Sequence, residues 1–329
     1  MPHQCLQTSR RVRQKPRLTL QNAVLFLAIV FCASIILCTL LDCVPCSFRA
    51  PKNATNFIAR RQNSNLLASL PNYKPDLSSI LIATATSVDH FIEMLRFCRN
   101  FVNNRELASH PNLRLVIYNL GDLNEDQIKA VNETCGGAEI RDFQFDRYPT
   151  FVKNLKQYRW KPVIISETLM ESDVVIWADS STEFGGGSET FESLIEEISK
   201  SNITMRLIGN TYLSIFRATH ERMYSYLPIP PEKAKALKMY GALTIIWVKT
   251  PRTQHAVLYP WVECALDAEC MAPRGAQPYC WMGTYPEPQY AFCHRYDQSA
   301  INIILANAAN FDGRLYQSDS LLMTTSRIV

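Results

Sequence analysis

Val174-Val175-Ile176-Trp177-Ala178-Asp179-Ser180-Ser181-Thr182-Glu183-Phe184, followed by Gly185-Gly186-Gly187, is the stretch on which the reading of this chain turns. Five mostly apolar residues, three of them β-branched, stop abruptly at an acid and two hydroxyls. Such a run reads as a strand buried on both faces, the kind found inside a parallel sheet. Asp179 then stands at the carboxyl end of the strand, where open α/β sheets place their ligands. A carboxylate there can hold a divalent cation against a diphosphate, and glycines let backbone approach a ligand closely. The competing reading is an Asp that only starts a turn after a core strand.

On the N-terminal side, Ser79–Ala83 reads as a first strand, with a helix over Asp89–Asn103 presenting Phe91, Leu95, Phe97 and Val102. The turn Thr84–Val88 between them has no glycine, which counts against a dinucleotide fingerprint and against a phosphate-binding P-loop. His90 in that helix reads as a surface or cap residue. Leu113–Asn119 is a second strand, Asn124–Gln127 has the form of a capping box, and Ile140–Phe145 is a candidate third strand. This alternation implies a parallel sheet with right-handed crossovers. Pro162 suits the first turn of a helix running to Met170, with Trp160 and Lys161 at its start as candidate donor-pocket residues. On the C-terminal side, Thr190–Lys200 reads as an amphipathic helix, Gly241–Val248 as a buried strand, and the segment after Thr250-Pro251 as a helix carrying Tyr259, Trp261 and Cys264. The stretch from Phe292 to Leu305 is a helix with a polar start, containing His294, Asp297 and Gln298, and an apolar body.

The chain has 329 residues, 47% of them hydrophobic, enough for a substantial core. Its net charge of +4 misleads, because Arg10, Arg11, Arg13, Lys15 and Arg17 all precede the first acid, Asp42. No basic stripe suggests nucleic acid. Residues 23–41 carry no charge and match the length of a membrane-spanning helix. With the basic cluster before it, this reads as an uncleaved signal anchor in type II orientation. The expected organisation is a cytoplasmic tail (1–22), a transmembrane anchor (23–41), a stem (42–76) and one lumenal domain (77–329), in a Golgi or endoplasmic reticulum membrane. Eight of the eleven cysteines would then meet an oxidising lumen, with Cys264, Cys270, Cys280 and Cys293 the strongest disulfide candidates and connectivity open. Asn53, Asn132 and Asn202 are N-glycosylation candidates.

Together these pieces resemble a Golgi-type glycosyltransferase of the A fold (GT-A), an α/β nucleotide-diphospho-sugar transferase domain with a mostly parallel sheet. The helix start Asp297-Gln298-Ser299-Ala300-Ile301-Asn302 resembles the Asp-Gln-x-x-x-Asn helix of glycogenin-like family-8 transferases. More closely, Ala83–Phe91, Trp160-Lys161-Pro162, Trp177–Ser181 and His294–Ala300 resemble a glycosyltransferase-like family of membrane proteins expanded in nematodes. The resemblance covers roughly residues 77–310. It implies a nucleotide-sugar donor and a glycan or glycoprotein acceptor. Asp179 would bind diphosphate through Mn²⁺ or Mg²⁺, with Ser181, Gly185 and Gly186 shaping the donor loop. Asp297 and His294 would serve catalysis. Family-8 enzymes carry Asp-x-Asp where this chain has Asp179-Ser180-Ser181, which implies a weaker metal site, completion of the site by Glu183 or His294, or metal-free catalysis. A metal or Lys161 would stabilise the leaving diphosphate. The alternative is a catalytically degenerate glycan-binding protein of the same fold. A third class, a membrane-anchored adhesion domain, predicts no nucleotide binding.

Overall fold

The structure is a computed structural model that describes residues 61–186, 189–283 and 286–325. In chain order the strands are β1 (Ile80–Thr86), β2 (Leu113–Asn119), β3 (Glu139–Asp142), β4 (Val174–Ala178), β5 (Thr182–Phe184) and β6 (Met205–Ile208). They are followed by β7 (Asn210–Ser214), β8 (Lys238–Tyr240), β9 (Thr244–Val248), β10 (Gln317–Ser318) and β11 (Met323–Thr325). Seven form one sheet in the order β10-β6-β9-β4-β1-β2-β3. β5 with β11 and β7 with β8 make two small antiparallel pairs.

The expected mostly parallel sheet is mixed through a single antiparallel strand, β9. β1, β2, β3 and β4 run parallel, but β9 lies antiparallel between β4 and β6. From β1 the chain moves outward to β2 and β3, then returns to place β4 on the other side of β1. Strand order therefore reverses between β1 and β4, and a crevice opens at such a point beyond the carboxyl ends of the strands.

Side chains alternate across the sheet with the strand period of two. Leu81, Ala83, Val175 and Trp177 enter one core with the helices Trp160–Thr168 and Tyr296–Ala308. Ile80, Ile82, Val174 and Ile176 enter the other with the helices Phe91–Asn103 and Phe191–Ser199. This double burial explains why β4 is apolar without alternation. The Glu125–Thr134 helix opens with both halves of the capping box between Asn124 and Gln127.

Residues 61–76 are not a spacer. They include a short helix, Ser64–Ser69, and Gln62 donates to the carbonyls of Ala256 and Ile304. The Tyr73 hydroxyl donates to Asp173 at 2.7 Å. The span expected at 23–41 lies outside the described residues, and among those described no helix is long and apolar enough to cross a membrane. The type II anchor, the membrane as a partner and the Golgi or endoplasmic reticulum location find no support in the described residues and are not carried further; the α/β domain is the architecture described.

Gly185 has a structural reason unrelated to a ligand. Its N–H donates to Leu322 O beside β11, and an added Cβ would lie 2.4 Å from the carbonyl oxygen of Leu321. At Gly186 a Cβ would meet nothing within 4 Å. Gly185→Ala should therefore cost about 1–3 kcal/mol through overpacking, while Gly186→Ala stays near neutral. Melting temperatures of the two variants check this, and equal values would remove the contact as the reason for the glycine.

Candidate active site

A cleft of about 250 Å³ opens at the carboxyl ends of β1 and β4, where the strand order reverses. Thr86 and Ser87 reach it from the end of β1, and Asp179, Ser180 and Ser181 from the end of β4. Asp89, His90 and Glu93 also line it, as do Lys156, Tyr158 and Trp160 from the segment before β4. His90 Nδ1 lies 2.6 Å from Glu93 Oε2. Ser180 and Ser181 are over nine-tenths buried. Their neighbours Asp179 and Thr182 donate their amide N–H groups to Leu243 O and Asp179 O, but the amides of Ser180 and Ser181 make no such bond among the described residues. These N–H groups and hydroxyls are donors available to a ligand.

Beneath the cleft floor lies an ion cluster. Lys161 Nζ is 3.0 Å from Asp179 Oδ1, 3.0 Å from Asp297 Oδ2, and donates to Ala242 O at 2.9 Å. Three oxygens thus surround an ammonium that has three N–H bonds. The Asp297 contact is an ion contact and not an aligned hydrogen bond, since Oδ2 accepts none by geometry. Trp177 Nε1 donates to Asp179 Oδ1 at 2.7 Å, so both partners fall on the same oxygen. Only 2% of the Lys161 side chain is exposed, against 17% for Asp179.

Lys161 is the second residue of its helix, where the helix dipole opposes a positive charge. The two carboxylates hold it there. Burial works to lower its pKa, and Asp179 and Asp297 outweigh that, so the ammonium persists well above its ordinary range. Asp297 shifts the other way. Burial pushes its carboxyl up to about 6, with Lys161 pulling down and Asp179 pushing further up.

Several expected roles change. Asp297 is 4% exposed and does not line the cleft; it meets Asp179 only through Lys161, so it is not placed to act on an acceptor. It does not cap its helix either, the N-cap being Arg295. Lys161 also does not line the cleft, its ammonium being turned to Asp179, Asp297 and Ala242 O, so it is not placed at a leaving diphosphate. Fully buried His294 accepts at Nδ1 from the His220 N–H and, in the tautomer this assigns, donates from Nε2 to Met271 O. Burial depresses it to about 3, leaving a neutral ring with both nitrogens engaged. It is neither base nor metal ligand. Glu183 sits on β5 beside Arg96 at 3.6 Å.

A resident metal therefore does not fit. Among the described residues no three His, Cys, Asp or Glu side chains converge as a metal site, and Asp179 Oδ1 is taken by Lys161 and Trp177. Asp179, Ser181 and Trp160 do meet in the cleft, whereas Gly185 and Gly186 do not line it. Ser87 was legible by the rule that identifies Asp179, as the polar residue after a buried strand. Tyr158 was not, because it sits at φ +55° in a turn whose left-handed backbone nothing in its sequence signals.

Among the described residues the cysteines pair as Cys98–Cys135, Cys264–Cys270 and Cys280–Cys293; Cys43 and Cys46 lie outside them. Asn132 and Asn202 are exposed, and Asn53 lies outside the described residues.

Comparison with known proteins gives one family model over part of the chain and several distant structural likenesses. A family model described as "Protein of unknown function (DUF1647)" matches residues 45–166, which include Lys161 but stop short of Asp179. No curated protein matches. Among solved structures, the galactosyltransferase LgtC in complex with donor and acceptor sugar analogues is 14% identical, with 72% of this chain and 73% of that one covered at a TM-score of 0.37. The bifunctional glycosyltransferase WbbM is 10% identical, with 77% of this chain but only 40% of that one covered at 0.43. The mannosyltransferase Ktr4p from S. cerevisiae in complex with GDP is 8% identical, with 67% and 73% covered at 0.37. These likenesses are distant, and no argument about activity rests on them. None of these descriptions names a membrane protein, so the expected membership in a nematode membrane-protein family has no support from them and is not carried further. Donor, acceptor and chemistry must be argued from the cleft.

The pKa of Asp297 gives a stability test. The unfolded chain releases this proton near 3.8 and the fold near 6, so the fold binds it more tightly in between. Stability from this group is fully present below about 4 and lost as pH rises through 6, of the order of 3 kcal/mol. Asp297→Asn should flatten that part of the melting temperature–pH curve. An equal slope in variant and wild type would place the titration elsewhere.

Proposed function

We propose that this protein is a glycosyltransferase that moves a sugar from a nucleotide-sugar donor to a glycan or glycoprotein, with the β1/β4 cleft as the donor site. The observation that carries this reading is the set of uncommitted donors at the strand end, the amides and hydroxyls of Ser180 and Ser181, in the crevice where strand order reverses. Neutral donors fixed by backbone suit the oxygens of a diphosphate and the hydroxyls of a sugar. Lys156 adds a positive charge at the rim, and Tyr158 an aromatic wall for a flat ring.

His90 is the nitrogen suited to take the acceptor proton. Glu93 holds its Nδ1, which leaves Nε2 as the acceptor in the tautomer this contact selects. The acceptor oxygen would bond to the sugar carbon as its proton passes to His90, and the diphosphate would leave with the electron pair of the broken bond. Asp179 acts by fixing the strand end against Lys161. The departure of Ser181 from Asp-x-Asp favours the second reading, donor binding without turnover.

Donor binding and transfer measured on the same preparations separate these. Ser181→Ala should weaken nucleotide-sugar binding about tenfold, the value of one hydrogen bond of roughly 1.4 kcal/mol. His90→Gln should keep donor affinity and folding while transfer falls by about 10²-fold or more. Binding with neither transfer nor donor hydrolysis in the wild type would establish the non-catalytic reading. No binding of any nucleotide sugar would remove both.

A further inference from the structure

Three oxygens surround Lys161 Nζ: one from Asp179, one from Asp297, and the carbonyl of Ala242. Two carboxylates and a carbonyl are the hard oxygen set that a divalent cation takes. They stand at the end of β4, beside the cleft, but the lysine side chain fills the space between them, 2% exposed. The distances of 2.9–3.0 Å suit an ammonium, being longer than the 2.0–2.6 Å of magnesium or calcium to oxygen. Trp177 and Trp160 close the cluster on one side, the Trp177 ring 5.6 Å from Nζ and 5.9 Å from that of Trp160. No exchangeable ion could be fixed so firmly, because Lys161 is tied covalently to its helix.

We propose that Lys161 is a built-in cation standing where a divalent metal would otherwise sit, so that the cleft binds its nucleotide ligand without metal and the two acids become a metal site only when the lysine side chain is removed. The first half rests on the donor-site reading above, and the second half does not. The ammonium supplies a single fixed charge that keeps Asp179 in place whatever the metal concentration. Its cost is that Asp179 has no oxygen pair left to share between a metal and its neighbours. Lys161 is a positioning residue, acting through Asp179 and not on the ligand itself.

Two measurements on the full chain test this. In the first, Mn²⁺ is titrated into wild type, Lys161→Ala and the double variant Lys161→Ala/Asp179→Asn, with free Mn²⁺ followed by its paramagnetic resonance signal. The wild type should take up none at this cluster. Lys161→Ala should gain one site, about tenfold or more tighter than any wild-type binding, with a melting temperature that Mn²⁺ raises, and the double variant should lose it. Wild-type uptake that Asp179→Asn abolishes would overturn the proposal. So would a folded Lys161→Ala that gains nothing. In the second, which needs no lysine variant to fold, wild-type binding of UDP- and GDP-sugars is compared in chelator and in Mn²⁺. Equal affinity within about twofold supports the proposal, and binding seen only with Mn²⁺ overturns it. If no nucleotide binds in either condition, the donor-site reading and the metal-free half fail together, and the Mn²⁺ titration decides the cation by itself.

Discussion

An ammonium almost cut off from water, held between two carboxylates at the end of the central strand, is the interaction on which the rest of this structure depends. Burying three charges is expensive, and the cost is offset only when all three stay together. The cluster therefore ties the start of the Trp160–Thr168 helix to the end of β4 and to the start of the Tyr296–Ala308 helix. It also sets the loop after β4, because Asp179 is fixed at Oδ1 by Lys161 and Trp177 while its N–H is held by Leu243 O. The next two residues line the cleft, and their amides have no backbone partner among the described residues. A constraint on charge burial thus helps set the shape of the cleft.

Elements with a strong local pattern were the legible part of the fold. The apolar run Val174–Ala178 could only be a doubly buried strand, and Leu113–Asn119 is a strand over the same residues the pattern marks. The Asn124–Gln127 box opens its helix because both reciprocal hydrogen bonds form within four residues. β6, by contrast, has four residues and takes its place through pairing with β9, so no local pattern shows it. The antiparallel direction of β9 is likewise set by how the chain returns after β8, which composition does not encode.

The candidate site was legible as residue types and not as geometry. Asp179, Lys161 and Asp297 each stand out in the sequence, yet what they do depends on a meeting of three distant segments. His294 shows the reverse error. A histidine in a polar helix start reads as chemistry, but full burial and two backbone partners make it a neutral strut. Gly185, too, reads as a ligand-approach glycine, and the backbone it approaches is that of Leu321. His90, whose sequence context suggests only a surface residue, reaches the cleft wall because the turn after β1 carries it there.

The cluster requires Lys161 to be a charged, enclosed ammonium. Following the Nζ and Cε resonances of Lys161 by NMR through a pH titration tests it directly, since the shifts report protonation of that one group. The two carboxylates should keep it protonated to above its ordinary value near 10.5, with slowly exchanging N–H protons. A Lys161 that loses its proton in the neutral range would mean that burial outweighs the carboxylates, and the account of the cluster would fail.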